Sequence, residues 1–519
     1  MRITYYIVFC FTALAMFGGC AKDKGNYDYI ALDSVSIDVT GLATSYSMLR
    51  FDTLTLNPVV KYKGETVNPA APQFSELSFA WEMYPSSINP SIQEKYTLDS
   101  SIALKTIMDK KEAVWVVLFT VTNTKTGVKS FSKFTVALTP SLAEGWMVLY
   151  ERDGNTDVGL IVNNEITKTN TVQERVLLDI YSASNGEPLQ GAPGSLSYSL
   201  VNFPSSYKIY IQSEGDVVSV NPSTFQRIDN FESIFWTKPA VEAPQLVKIT
   251  EQRKEFMLNN NKLHVIDYTI IGTGRRAFED ALAGTYGQLA PWISTTTGAA
   301  FDAIVYDQTN KRFMKVATRG AEVVQFTTTQ SPTAAYDVKN VGLTFLAADL
   351  GWNFWEHIVM KDDAGKYYLL TADFRTGEIA TIGKGKYDMT ACPEIADMNS
   401  VTAGFYGEVF YYSSPKNLYQ FKYTPGTTDK LWTAPGNEKI TNISLQKYYN
   451  TQAARGRWYD PKNICKILYI STYDEATKMG NVYQMEVNQS SGAIIAGTEK
   501  KYTGFGKVKA MAWKAFVIL

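Results

Sequence analysis

Seven times between Gly145 and Leu519 the chain repeats one unit: a short apolar strand, a polar turn and a second apolar strand. The pairs are Trp146–Tyr150 with Val158–Val162, Tyr207–Ile211 with Val217–Val220, Phe256–Leu258 with Leu263–Ile266, and Ala303–Tyr306 with Phe313–Val316. They continue with Ile358–Met360 and Tyr367–Leu370, Val409–Tyr412 and Leu418–Phe421, and Ile467–Ile470 and Val482–Val487. Successive starts fall 47 to 61 residues apart, close to the roughly 40–50 residues plus loops of a four-stranded blade. One such sheet cannot bury both of its apolar faces, whereas a closed ring of sheets buries each against its neighbours. The spacing predicts a β-propeller over residues 145–519 with seven blades; its irregularity also admits six or eight. Val508–Trp513 is expected to close the ring with the first blade. Weaker strands between the hairpins, such as Ile440–Leu445, are expected to supply the outer pair. Two further β-sandwiches would explain the strands but not the sevenfold spacing.

Residues 30–140 follow a different pattern. Leu77, Phe79, Trp81 and Met83 alternate with polar or small residues, the period of a strand with one buried face. Val114–Val121 is apolar on both faces and so is expected at the centre of a sheet. It enters a turn at Asn123–Gly127, and Phe131–Leu138 returns as its hairpin partner. A tryptophan-bearing strand, a later long apolar strand and a closing hairpin make an immunoglobulin-like β-sandwich. Trp81 is expected in its core. The whole chain is thus expected to be all-β, in keeping with 13% aromatic residues, 32 of them Tyr.

The N-terminus carries instructions of another kind. Arg2 precedes an apolar run from Ile3 to Phe17, too short to span a bilayer, which takes about 20 residues, and suited to the core of a secretory signal. It ends in Phe17-Gly18-Gly19-Cys20. Small residues before a cysteine are what a lipoprotein signal peptidase requires, although Phe17 stands where an aliphatic residue is usual. Residues 1–19 are therefore read as a lipoprotein signal peptide and residues 20–29 as a tether lipidated at Cys20, anchored stably by several acyl chains. With Cys10 removed, only Cys392 and Cys465 remain. An export compartment permits a disulfide between them but does not demand one.

Composition and motifs bound the chemistry. With 50 basic against 51 acidic residues, the chain lacks the concentrated positive charge of a nucleic-acid binder. Two histidines, His264 and His357, exclude a histidine-rich metal centre, and both are read as core or interface residues. No GxSxG, HExxH, Walker or CxxC motif occurs, so no catalytic residue, metal or cofactor is assigned. Asp153-Gly154-Asn155-Thr156-Asp157 has the alternating oxygens of a calcium loop but lacks its closing glutamate, and reads as a hairpin turn. Gly272-Thr273-Gly274-Arg275-Arg276-Ala277 matches a dinucleotide fingerprint without the surrounding βαβ units. It is read as a blade-connecting loop, with a short helix in the Ala277–Gly284 stretch. Loops leading into the innermost propeller strands are expected to share one face. The aromatics assigned to them, Trp292, Trp352, Phe354, Trp355 and Tyr406, are the candidate ligand-binding residues, suited to sugar rings or apolar peptide side chains.

Two stretches carry a family resemblance. Cys20, a short charged spacer and then Gly25-Asn26-Tyr27-Asp28-Tyr29 resemble the opening of the PKD-like family lipoproteins of Bacteroidota. The Trp81 strand and the Thr120-Val121-Thr122-Asn123-Thr124-Lys125-Thr126-Gly127 hairpin are similar to those of a PKD domain. The resemblance implies an outer-membrane, outward-facing lipoprotein associated with a SusC/SusD-type importer. Its implied role is non-catalytic capture of a nutrient, oligopeptide slightly ahead of glycan. A surface polysaccharide hydrolase or lyase, and a propeller that only docks a protein partner, are the alternatives. A deep acidic cleft on the propeller axis would favour the enzyme.

Overall fold

The computed structural model describes residues 35–87, 95–111, 113–139, 142, 144–167, 174–202, 205–250, 254–268, 276–294, 300–448 and 461–515. The signal peptide, Cys20, the tether and Gly272–Arg275 lie outside the described residues. Among the described residues no helix is long and apolar enough to cross a membrane. The chain divides into two compact units between Thr139 and Pro140.

The first unit is a β-sandwich. One sheet has the spatial order Ser45–Leu49, Lys129–Thr139, Val114–Asn123, Leu77–Pro85 and Tyr96–Asp99. The strand that is apolar on both faces therefore sits in the middle, as its pattern requires. Val35–Asp38, Val59–Tyr62 and Glu65–Thr66 form a second sheet, and Thr53–Leu56 pairs with Leu104–Ile107. The core they enclose centres on Trp81, which is 0% exposed. Its ring stacks on Phe119 at 4.4 Å, and its indole N–H donates to the Ser101 carbonyl at 3.0 Å, so the one polar atom of the side chain is satisfied on burial.

The second unit is a seven-bladed β-propeller. Six of the seven hairpins form the two middle strands of a sheet, and the third forms the last two strands of a three-stranded one. An inner strand precedes each of the last six: Pro193–Asn202, Pro244–Thr250, Leu289–Ser294, Thr344–Leu350, Ser400–Ala403 and Lys439–Leu445. The seventh inner strand, Lys507–Lys514, comes from the far end of the chain and pairs with Gly145–Arg152 to complete the first blade. Neighbouring inner strands touch all the way round, so the ring is closed. Alternation then sorts side chains between blades. In the fourth blade Ala303 and Val305 enter the cluster shared with the third, while Ile304 and Tyr306 enter the one shared with the fifth.

Two expectations are corrected here. Ile440–Leu445 is not part of an outer pair but the inner strand of the seventh blade; its apolar pattern is weak because Asn442 and Ser444 line the axial channel. The Ala277–Gly284 stretch holds no helix. Its backbone runs along Lys262–Asp267, with Glu279 N–H donating to the Val265 carbonyl at 3.0 Å and Leu282 N–H to Leu263 at 2.8 Å, and it flanks a blade of three strands. Asp153 and Gly154 have φ of 51° and 77°, the left-handed pair of a two-residue hairpin turn.

The closure leaves no room at Gly506, which joins the seventh blade to Lys507–Lys514. A Cβ there would lie 1.9 Å from the Glu151 carbonyl oxygen, and one at Gly480 would lie 1.7 Å from that of Gly506. Both obstacles are backbone, so a side chain at Gly506 must part the seam. Gly506→Ala is expected to cost about 1–3 kcal/mol, read as a lower midpoint in denaturant unfolding with an unchanged slope.

Candidate functional site

The inner strands run in the same sense, so the segments that leave them gather at one end of the ring. The fifth-blade inner strand, Thr344–Leu350, turns out through Gly351 into Trp352–Trp355, and the sixth, Ser400–Ala403, through Gly404–Glu408. Four of the five aromatics singled out in the sequence meet here. Trp352, Phe354, Trp355 and Tyr406, with Asp373, Arg375 and Phe405, line a rim pocket of about 470 Å³. These loops follow the inner strands and do not lead into them. Trp292 is elsewhere: it lies within the inner strand Leu289–Ser294, 8% exposed, in ring contact with Phe313, Phe345 and Phe374. It belongs to the core between the fourth and fifth blades.

The rim loop is held in an unusual shape. Asn353 and Phe354 have φ of 59° and 55°, and a bulky aromatic residue enters this left-handed region only under compulsion. Behind it, a Cβ on Gly351 would come within 2.6 Å of His357 Nδ1 and 2.7 Å of Ala403. The His357 ring fixes the loop from below. Its Nδ1 lies 3.0 Å from the Trp355 carbonyl oxygen, which can only accept, so Nδ1 carries the proton. Nε2, at 3.2 Å from the Tyr423 hydroxyl, is the acceptor. Burial pushes the imidazole pKa down to about 4, so His357 is neutral and structural. At the rim, Phe354 packs on Phe405 at 5.1 Å, Arg375 pairs with Asp373 at 3.2 Å, and Lys384 lies 5.7 Å over the Trp355 ring.

Phe405 also lines a second cavity, of about 300 Å³, on the propeller axis. Its aromatic walls include Tyr198, Tyr448 and the cross-strand pair Trp146 and Trp513. Its charged residues, Lys248, Asp349 and Lys447, escaped the sequence reading because they belong to no motif. The only trace they leave is a polar residue within a weak inner strand, as Lys248 between Val247 and Ile249. Asp349 Oδ2 accepts from Lys447 Nζ at 2.6 Å, Thr402 Oγ1 at 2.8 Å and Ala403 N–H at 2.9 Å. Lys447 also donates to the Leu350 and Ala403 carbonyls, stitching the fifth blade to the sixth. Glu356 is buried nearby and accepts from Ser294 Oγ at 2.7 Å; desolvation pushes its pKa up to about 7. At the opposite mouth of the channel, Glu151, Glu475, Lys439, Lys507 and Lys509 surround an opening of about 530 Å³.

His264 is also buried: its Nδ1 lies 3.0 Å from the Glu279 carbonyl, and its ring meets Phe235 edge-on at 5.1 Å. Cys392 and Cys465 are both free thiols, buried in separate clusters. Among the described residues no group of three or more His, Cys, Asp or Glu side chains is placed to hold a metal ion.

Comparison with known proteins gives one family match and distant structural likenesses. Residues 20–193 match the model of the PKD-like family. The match runs past the sandwich and takes in the first-blade strands Gly145–Arg152, Asn155–Val162, Arg175–Leu177 and Leu189–Gln190. A search of curated proteins finds no match. Among solved structures, a quinonprotein alcohol dehydrogenase-like protein from Bacteroides thetaiotaomicron VPI-5482 is similar, with 13% identity and a TM-score of 0.45 over 91% of this chain and 97% of that one. Dihydro-heme d1 dehydrogenase NirN gives 8% identity and a TM-score of 0.36 over 76% and 72%. At these levels the likeness says nothing of activity.

The His357 geometry has a pH signature. The unfolded chain binds a proton near the ordinary imidazole value of about 6.5, which the folded ring refuses until about pH 4. Between these values the unfolded state holds more protons, so this residue's contribution to stability falls as pH falls. Unfolding measured from pH 7 to 4 should show a shallower acid-side loss in His357→Gln than in the wild type. Equal slopes in the two proteins would refute the neutral, buried assignment.

Proposed function

We propose that this protein is a lipid-anchored outer-membrane protein facing the cell exterior, where its propeller captures a nutrient without chemically altering it, as an accessory subunit of a SusC/SusD-type importer. The observation that carries the binding role is the convergence of Trp352, Phe354, Trp355 and Tyr406 into one pocket at the end of the ring where the axial cavity opens. An aromatic concavity with a few polar groups suits a sugar ring or an apolar peptide side chain. The rim loop is held in its strained shape by the fold, which lowers the ordering cost of binding. The envelope location rests on the signal ending in Gly18-Gly19-Cys20, and the importer association on the PKD-like resemblance. In chain order the sandwich lies between anchor and propeller, the place of a spacer.

The charge on the axis favours capture over hydrolysis. The enzyme reading calls for a deep acidic cleft, yet the cavity lining holds two lysines and one carboxylate. That carboxylate, Asp349, is already engaged by three donors.

Affinity isolation of the tagged, lipidated protein from detergent-solubilised outer membrane, followed by mass spectrometry, tests the importer association. A SusC/SusD-type pair in stoichiometric amount is expected. Recovery of the protein alone, under conditions that keep a known importer pair together, would sink the accessory role.

A further inference from the structure

Lys248 makes no direct salt bridge: burial pushes its ammonium pKa down, and the Asp349 and Glu356 carboxyls act on it only from a distance. It lies near the end of the inner strand Pro244–Thr250, half-buried, in the wall of the axial cavity. No ion pair or hydrogen bond engages its amine among the described residues. The other lysine of the cavity, Lys447, is spent on Asp349 and on two backbone carbonyls. The lining therefore carries one positive charge in excess. Glu356 offsets it only in part, because desolvation pushes that carboxyl's pKa up to about 7. A desolvated ammonium without a partner is costly, and an anion brought beside it recovers that cost.

The size and sign of the site narrow the ligand. About 300 Å³ is at the lower end of the roughly 300–1,000 Å³ of small-molecule pockets, room for one sugar ring or one amino-acid residue. Tyr198, Tyr448, Trp146, Trp513 and Phe405 line the cavity, Tyr448 the most accessible and the other four buried. A phosphate or sulfate dianion would face a single free cation with the Asp349 carboxylate close by, a poor balance. A carboxylate carries the one charge that Lys248 lacks. Phe405 is common to this cavity and the rim pocket, so the two are neighbours across its ring.

We propose that the axial cavity is a carboxylate-binding site in which Lys248 is the counter-ion and the surrounding aromatic rings hold the ring or side chain that bears the acid. This deepens the nutrient-capture reading and rests on it for the source of the ligand. Two sources share the chemistry: the C-terminal residue of a peptide and a uronic acid of a glycan.

The test is calorimetric titration of the full-length protein in detergent with four probes: Ala-Ala-Phe, its C-terminal amide, digalacturonate, and the methyl ester of digalacturonate. A charge-assisted contact of this kind is worth about tenfold or more in affinity. At least one acid is expected to bind about tenfold tighter than its uncharged counterpart, and which one names the source. Lys248→Met keeps the length of the side chain and removes the charge. It should erase that preference while the unfolding midpoint is maintained, and Lys248→Arg should retain part of it. The proposal is overturned if neither acid is preferred over its neutral form, or if the preference survives in a folded Lys248→Met protein. Because the titration needs no partner, it is separable from the importer association. An importer pair recovered without acid preference defeats only the present inference, and acid binding without an importer defeats only the accessory role.

Discussion

A four-stranded sheet whose middle strands are apolar on both faces cannot stand alone in water, and everything else in the propeller unit follows from that. Strands such as Phe301–Asp307 and Phe410–Ser413 are buried at every position. Each side chain must find its cover on the neighbouring sheet to the left or to the right. At roughly 25 cal/mol per Å² of apolar surface, leaving even one face of one blade in water would outweigh the few kcal/mol by which a domain is stable. The ring is the arrangement in which no face is left over. The closing strand Lys507–Lys514 is what makes the arrangement complete, because it gives the first blade its inner strand.

The same constraint explains which parts of the fold were legible in the sequence. The seven hairpins are double-faced apolar strands, and each one appears in the structure where the pattern put it. Inner strands are harder to read, since some of their side chains line the axial channel and others pack between blades. Lys439–Leu445 mixes Asn442 and Ser444 with Ile440 and Ile443 and so resembles an edge. Trp292 looked like a loop aromatic beside Pro291 and a run of threonines, yet it sits within an inner strand whose pleat turns it onto Phe345 and Phe374. The Ala277–Gly284 segment has the composition of a helical turn. Its backbone instead bonds along the outer strand of a blade, and tertiary pairing overrides local propensity.

Of the site, the aromatic half was visible and the charged half was not. Trp352, Phe354, Trp355 and Tyr406 come from two loops about fifty residues apart, and the repeat brings them together because consecutive blades are neighbours. Lys248, Asp349 and Lys447 come from the third, fifth and seventh blades. No spacing in a single sequence joins residues that meet only across a ring axis. His357 links the two halves of the local structure. It supports the rim loop through the Trp355 carbonyl, and it sits in a strand directly opposite Asp349.

Closing the ring with Lys507–Lys514 also sets an order of events in time. Gly145 and Lys514 are register partners, so the first strand of the propeller made during synthesis waits for Lys507–Lys514 before its sheet is complete. Long-range pairings of this kind are slow to form and leave apolar edges open meanwhile. Until Lys507–Lys514 docks on Gly145–Arg152 the ring stays open at the first blade, so this one pairing acts as the latch of the propeller.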